Sequence, residues 1–197
     1  MADASRQPTF VVLGGPNGAG KSTAAAVLLP PEMTFVNADE VAKGLPSYPS
    51  HTADLEASRL ILEQMDCLEA DRADFAVETT LAGRSLAARA ARLRAIGYRF
   101  RLIFVTIPEA DLSVSRVAFR VANGGHHIPG DTIRRRFIAG PRNFFRMYRP
   151  VADKWEVYET SEVGRPILIA EGNMEEGPKI LDPASWDEFR RRGGEDG

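Results

Sequence analysis

Residues 15–22 read Gly-Pro-Asn-Gly-Ala-Gly-Lys-Ser, a fit to G-x-x-x-x-G-K-[S/T]. The octet follows an apolar, β-branched run, Thr9–Gly14. It runs into residues 21–29, which read as a helix stopped by Pro30 and Pro31. A strand that hands a glycine turn to a helix N-terminus belongs at the carboxyl edge of a parallel sheet. Each residue type has a physical task there. Glycine lets backbone N–H groups converge on one anion. The helix N-terminus adds partial positive charge. Lys21 supplies a point charge to β- and γ-phosphates, and Ser22 offers a hydroxyl to Mg²⁺. Gly15, Pro16, Asn17, Gly18, Ala19, Gly20, Lys21, Ser22 and Thr23 are therefore the candidate nucleotide-binding residues, with Ser22 facing the metal.

Further strands are expected at residues 33–37, 74–78, 99–107 and 165–170. Helices are expected at 21–29, 52–70, 84–96, 112–122, from 131 onward, and at 183–192. This alternation predicts an α/β fold, a three-layer sandwich around a mainly parallel five-stranded sheet. With 197 residues and no linker or repeat, the expectation is one domain over 1–197. Cys67 is the lone cysteine, which rules out an internal disulfide, and neither a secretion signal nor an apolar run of membrane-spanning length is visible. A cytoplasmic protein without membrane contact is expected.

The net charge of −2 hides a segregation. Residues 1–78 hold twelve acidic side chains, whereas 84–149 hold fourteen arginines against Glu109, Asp111 and Asp131. Arginine favours phosphate because its planar fork donates two hydrogen bonds at once. An NTP-dependent nucleic-acid switch is a competing reading of this basic stretch. It lacks aromatics spaced for base stacking, and no nucleic-acid partner is expected.

Candidate chemistry sits at the strand ends. Asp39 follows the second strand and Glu78 ends the third. A carboxylate at such a place accepts the proton of an attacking hydroxyl, binds a substrate hydroxyl or holds Mg²⁺. Asp39 also suits a helix N-cap. Thr79, Thr80 and Arg84 follow in ETTLAGR, where the threonines suit either substrate contact or helix capping. Arg116 and Arg120 lie one helical turn apart, a glycine loop follows, and Arg134, Arg135 and Arg136 come next. This is the pattern of a mobile lid over about 113–140. His126 and His127 suit a loop contact or a surface position better than chemistry.

The ordered set GGPNGAGKST, NADEVA, ETTLAGR, RVANGGHHIP with RRRF, and NFF with a downstream Tyr and AD-W resembles the zeta-toxin-like P-loop kinase family over about residues 9–160. The resemblance implies a P-loop kinase fold with a helical lid. It implies phosphorylation of UDP-N-acetylglucosamine at the sugar 3′-hydroxyl, with ATP or GTP and Mg²⁺. By motif match, Lys21 and Ser22 meet the triphosphate and metal, and Asp39 is the catalytic base. Glu78 and Thr80, with Arg84 nearby, hold the sugar nucleotide. Arg120 and one of Arg135 or Arg136 contact the phosphates. An anionic small-molecule substrate and an antitoxin partner are implied as well. One departure bears on the acceptor: the family pattern places an arginine two residues after the threonine, and here that position is Ala82. A kinase for a different, free small metabolite is the alternative.

Overall fold

The computed structural model describes residues 6–125, 127–162 and 165–195. Its chain order is β1 (Thr9–Gly14), α1 (Lys21–Leu28), β2 (Thr34–Val36), α2 (Ala38–Lys43), α3 (His51–Ala70), β3 (Phe75–Thr79), α4 (Ser85–Ala95), β4 (Arg99–Thr106), α5 (Ala110–Ala122) and α6 (Gly130–Asn143). A π-helical turn, Phe144–Tyr148, and a 3-10 turn, Arg149–Val151, lead to β5 (Lys154–Glu159), β6 (Ile167–Asn173), β7 (Lys179–Ile180) and α7 (Pro183–Gly193). No helix among the described residues is long and apolar enough to cross a membrane.

The strands form one sheet in the order β2-β3-β1-β4-β5-β6-β7. The first five strands run parallel, and β6 and β7 are antiparallel additions. The α/β class is as expected, but the sheet has seven strands rather than five. β7 has only two residues, too short to register as a pattern. β5 was hidden for a different reason. Its sequence, KWEVYE, sets charges where a buried parallel strand ordinarily carries aliphatics.

The charge within β5 is compensated by its neighbours. Glu156 is buried and accepts from Arg101 Nε at 2.6 Å, with Lys154 Nζ 3.1 Å away. Arg101 also donates to the Leu28 carbonyl at 3.3 Å, meeting an acceptor at the carboxyl end of α1. Burial pushes the Glu156 carboxyl up, but hydrogen bonds and charge from Arg101 and then Lys154 outweigh it. The group ends below its ordinary value.

One face of the sheet packs α3, α4 and α7 over Phe10, Phe75, Phe100 and Phe104; the other packs α1 over Val11, Leu13, Ile103 and Val105. β1 is the middle of the five parallel strands and is almost wholly buried, so its carboxyl end is delivered rigidly to the sheet edge. Pro141 inside α6 removes one helical N–H, and the helix passes into the π turn three residues later. That turn seats Phe144 and Phe145 among Trp155, Trp186 and Phe189, with the two indoles stacked at 5.5 Å. It also aims Asn143 and Tyr148 at the loop after β3.

A native carboxyl held below its ordinary value stabilises the fold in full above that ordinary value, and the contribution is lost as pH falls on through the lowered native value. Glu156→Gln leaves the part-buried Arg101 beside a neutral group. It is expected to lower stability by about 3 kcal/mol at pH 7. Urea unfolding at a series of pH values should show the gap to wild type closing as the medium turns acidic.

Candidate active site

The register of β1 with β3 sets Leu13 beside Glu78 and Gly14 beside Thr79, so the carboxylate emerges next to the glycine turn. Within the turn, Gly15 has φ +148°, and a Cβ there would lie 2.2 Å from the Val105 carbonyl. No side chain fits this close approach to β4. Lys21 is nearly buried. Its Nζ donates to the Pro16 carbonyl at 3.1 Å and sits 3.4 Å from Glu78 Oε1. Ser22 Oγ donates to Glu78 Oε2 at 2.8 Å. One carboxylate thus spans the ammonium and the hydroxyl.

Asn37 completes this group and was not singled out in the sequence. Its Nδ2 donates to Glu78 Oε2 at 2.9 Å, while its Oδ1 accepts from the Asp39 N–H at 2.9 Å as the N-cap of α2. The signal was present: Asn directly before a helical run is a favoured cap. Because Asn37 is the cap, the Asp39 side chain is released from that role. It lies 3.3 Å from Arg120 Nη1 across the cleft. The other two guanidinium nitrogens of Arg120, Nε and Nη2, are buried with no hydrogen-bond partner among the described residues. The Gly124–Gly125 turn folds back on this arginine, and a Cβ at Gly125 would stand 2.8 Å from Arg120 Cγ.

The three consecutive arginines separate. Arg134 pairs with Asp111 at 2.5 Å, away from the cleft, and Arg135 is exposed and does not line it. Arg136 alone turns inward, donating to Asn17 Oδ1 at 3.1 Å. Burial, and then the Arg135 charge, pull its guanidinium below its ordinary value while Asp39 pushes it up. A cation desolvated in this way gains from an arriving anion. Arg84, expected at the substrate, is instead exposed at the head of α4 and lines no part of the cleft. Arg116 shares the face of Arg120 but donates to the backbone carbonyls of Thr160 and Ser161, at 2.9 and 2.8 Å. Of the two histidines, His127 is an exposed residue on the cleft wall, and His126 lies outside the described residues.

Around these groups lies a cleft of about 490 Å³, walled by Asn17, Lys21, Asp39, Glu78, Thr80 and Arg136 among others. The Thr79–Gly83 segment is held from behind. Asn143 Nδ2 donates to the Leu81 carbonyl at 2.7 Å and Tyr148 OH to the Gly83 carbonyl at 3.0 Å. Leu81 takes a left-handed backbone, φ 57°, with its side chain fully buried against Gly14. A second, largely apolar cavity of about 410 Å³ opens on the outer side of the glycine turn, between Ala19, Thr23, Phe119 and Pro166. Phe119 is an exposed aromatic ring on its wall.

The donor set suits Mg²⁺ bound to a nucleotide. Ser22 and Glu78 are hard oxygen donors side by side, and Mg²⁺ keeps waters and phosphate oxygens as its remaining ligands. Among the described residues no cluster of three His, Cys, Asp or Glu forms an all-protein metal cage.

Residues 2–163 match the family model described as Zeta toxin. An uncharacterized protein of Haemophilus influenzae is 26% identical over 123 residues, covering 62% of this chain and 88% of that protein. Among solved structures, the AvrRxo1-ORF1:-ORF2 complex with ATP superposes with TM-score 0.76 at 18% identity, over 94% of this chain. The alignment covers 64% of that chain, so this protein spans just under two thirds of its length. A structure from the PezAT chromosomal toxin-antitoxin system of Streptococcus pneumoniae superposes with TM-score 0.66 at 18% identity, covering 99% of this chain and 82% of that one. These likenesses show a shared fold.

Asn37→Ala removes both the α2 cap and an anchor of Glu78. It is expected to cost about 2 kcal/mol in urea unfolding. Asn37→Ser, which keeps a cap but cannot reach as far, should recover part of that loss.

Proposed function

The chain belongs to the Zeta toxin family, and from that premise we propose that it is a kinase that moves the γ-phosphate of ATP or GTP to a hydroxyl of a small molecule. The observation that carries this reading is the gathering of Lys21, Glu78, Asp39 and Arg136 around one cleft beside the glycine turn, with Ser22 bonded to Glu78 and Arg120 paired to Asp39 on the adjoining cavity. The triphosphate lies along the turn and the N-terminus of α1. The nucleobase takes the apolar cavity beside Phe119. Ser22 with Glu78 is the place for Mg²⁺, which when bound neutralises phosphate charge.

The chain's own residues do the rest. In the free protein Arg120 neutralises Asp39, and Glu78 neutralises Lys21. Phosphates offer both cations a more highly charged partner. Once Arg120 turns to them, Nε and Nη2, which have no hydrogen-bond partner among the described residues, gain acceptors and the Asp39 carboxylate is freed. Asp39 then takes the proton of the acceptor hydroxyl as its oxygen bonds to the γ-phosphorus. The bond from that phosphorus to the β–γ bridging oxygen breaks, and the nucleoside diphosphate leaves. Lys21, Arg120 and Arg136 meet the charge that spreads over the transferring group.

For the acceptor, a sugar nucleotide of the UDP-N-acetylglucosamine type is the first reading. Asp39 also walls a further cavity of about 340 Å³, shared with Ser22 and Arg120, which gives a two-part acceptor room on both sides of the base. A free hydroxyl compound is the second reading, favoured by Arg84 standing away from the Thr80 side of the cleft. A cytoplasmic setting and a partner protein that blocks the cleft, as in an antitoxin pairing, complete the proposal.

Phosphotransfer with Mg-ATP, read by product mass across sugar nucleotides and free sugars, tests it. One added phosphate on an acceptor is expected with wild type. Asp39→Ala should lower the rate by roughly 10²–10⁴-fold while ATP still binds. A broad panel yielding no phosphorylated product would refute the kinase reading.

A further inference from the structure

A peptide unit is planar, so a carbonyl held outward aims the N–H of the next residue inward. Two peptide units of the glycine turn are held in this way by hydroxyls from distant parts of the chain. The fully buried Ser113 hydroxyl, on α5, donates to the Asn17 carbonyl. The buried Thr160 hydroxyl, just past β5, donates to the Ala19 carbonyl at 2.7 Å. The N–H groups of these two units belong to Gly18 and Gly20. Both residues are left-handed, with φ 76° and 74°, and neither N–H has a backbone partner among the described residues.

The hydroxyls are themselves held in place. The Thr160 N–H donates to the Thr106 carbonyl at 3.0 Å, pinning it to the end of β4. Arg116 reaches from α5 to the Thr160 carbonyl at 2.9 Å, tying the two braces together. α5 also lies directly on the turn, since a Cβ at Gly18 would sit 2.8 Å from the Ser113 carbonyl. The first turns of α5 are thus built onto the glycine turn.

We propose that Ser113 and Thr160 are positioning residues for the phosphates: by holding the Asn17 and Ala19 carbonyls outward, they keep the Gly18 and Gly20 N–H groups aimed at the nucleotide. This inference rests on the nucleotide-binding reading above. Neutral hydroxyls suit the task because they turn the carbonyls away without adding a charge that phosphate would have to displace. Removing one lets its peptide unit turn, so that a carbonyl dipole competes with the N–H for the anion's place.

The test uses the full chain and calorimetric binding of tripolyphosphate and of Mg-ATP, neither of which needs the acceptor. Thr160→Val keeps the side-chain shape and loses the donor. It is expected to weaken tripolyphosphate roughly tenfold. Thr160→Ser restores the hydroxyl and should bind close to wild type, which a purely steric role for the residue would not produce. Ser113→Ala should weaken binding in the same direction. Equal tripolyphosphate affinity in wild type and Thr160→Val overturns the proposal, as does a loss shared fully by Thr160→Ser. A wild type that binds neither ligand overturns the nucleotide reading, and the brace falls with it.

Discussion

A turn that receives an anion must keep its backbone N–H groups free, and such freedom is costly in a folded protein. Elsewhere in a fold nearly every backbone donor finds an acceptor. The glycine turn between β1 and α1 meets this constraint with left-handed glycines at 18 and 20 and with its carbonyls directed to Lys21, Ser113 and Thr160. Much of the surrounding structure follows from keeping those partners in place. β1 is the buried middle of the five parallel strands, so the turn leaves from a rigid origin. β4 passes close enough to Gly15 to exclude a side chain there. The end of β5 delivers Thr160, which requires β5 to stand next to β4.

The same economy governs charge. The cleft contains carboxylates and cations in close pairs rather than a field of one sign. Glu78 faces Lys21 and Ser22, and Asp39 faces Arg120. An unpaired charge so near the buried sheet would be costly, and pairing offsets that cost. Under the proposed function, nucleotide binding becomes an exchange of partners instead of the burial of new charge. Several arginines of the basic middle of the chain take other partners. Arg89 and Arg94 form ion pairs with Glu69 and Asp153, Arg134 pairs with Asp111, and Arg116 ties backbone carbonyls.

Support for the cleft comes from the far end of the chain, beyond the residues that match the family. α7 packs Trp186 and Phe189 against the π turn that holds the Thr79–Gly83 segment. Its Arg192 donates to the Ile107 carbonyl at 2.9 Å, where β4 gives way to α5, and lies 4.8 Å over the Phe137 ring beside Arg136. Burial lowers the pull of this guanidinium on its proton, with Glu188 and Glu159 acting in the opposite direction. One side chain thus touches both the link into α5 and the middle of α6.

The sequence by itself determined the strand, turn and helix around Gly15–Ser22, the alternation behind the sheet, and the positions of Asp39 just past β2 and Glu78 near the end of β3. These are local matters: periodicity, glycine and proline placement, and the rule that side chains past parallel strands gather at one edge. β5 escaped because its charges are acceptable only with Arg101 alongside, a residue on another strand. Only the tertiary structure decided which arginines enter the cleft, that Arg136 turns in while Arg84 and Arg135 stay outside, and that Asn37, Ser113 and Thr160 serve the site. Those assignments depend on contacts between residues 41 to 141 positions apart, such as Asn37 with Glu78 and Thr160 with Ala19. Side chains that are equivalent in local pattern differ there only by the direction in which packing turns them.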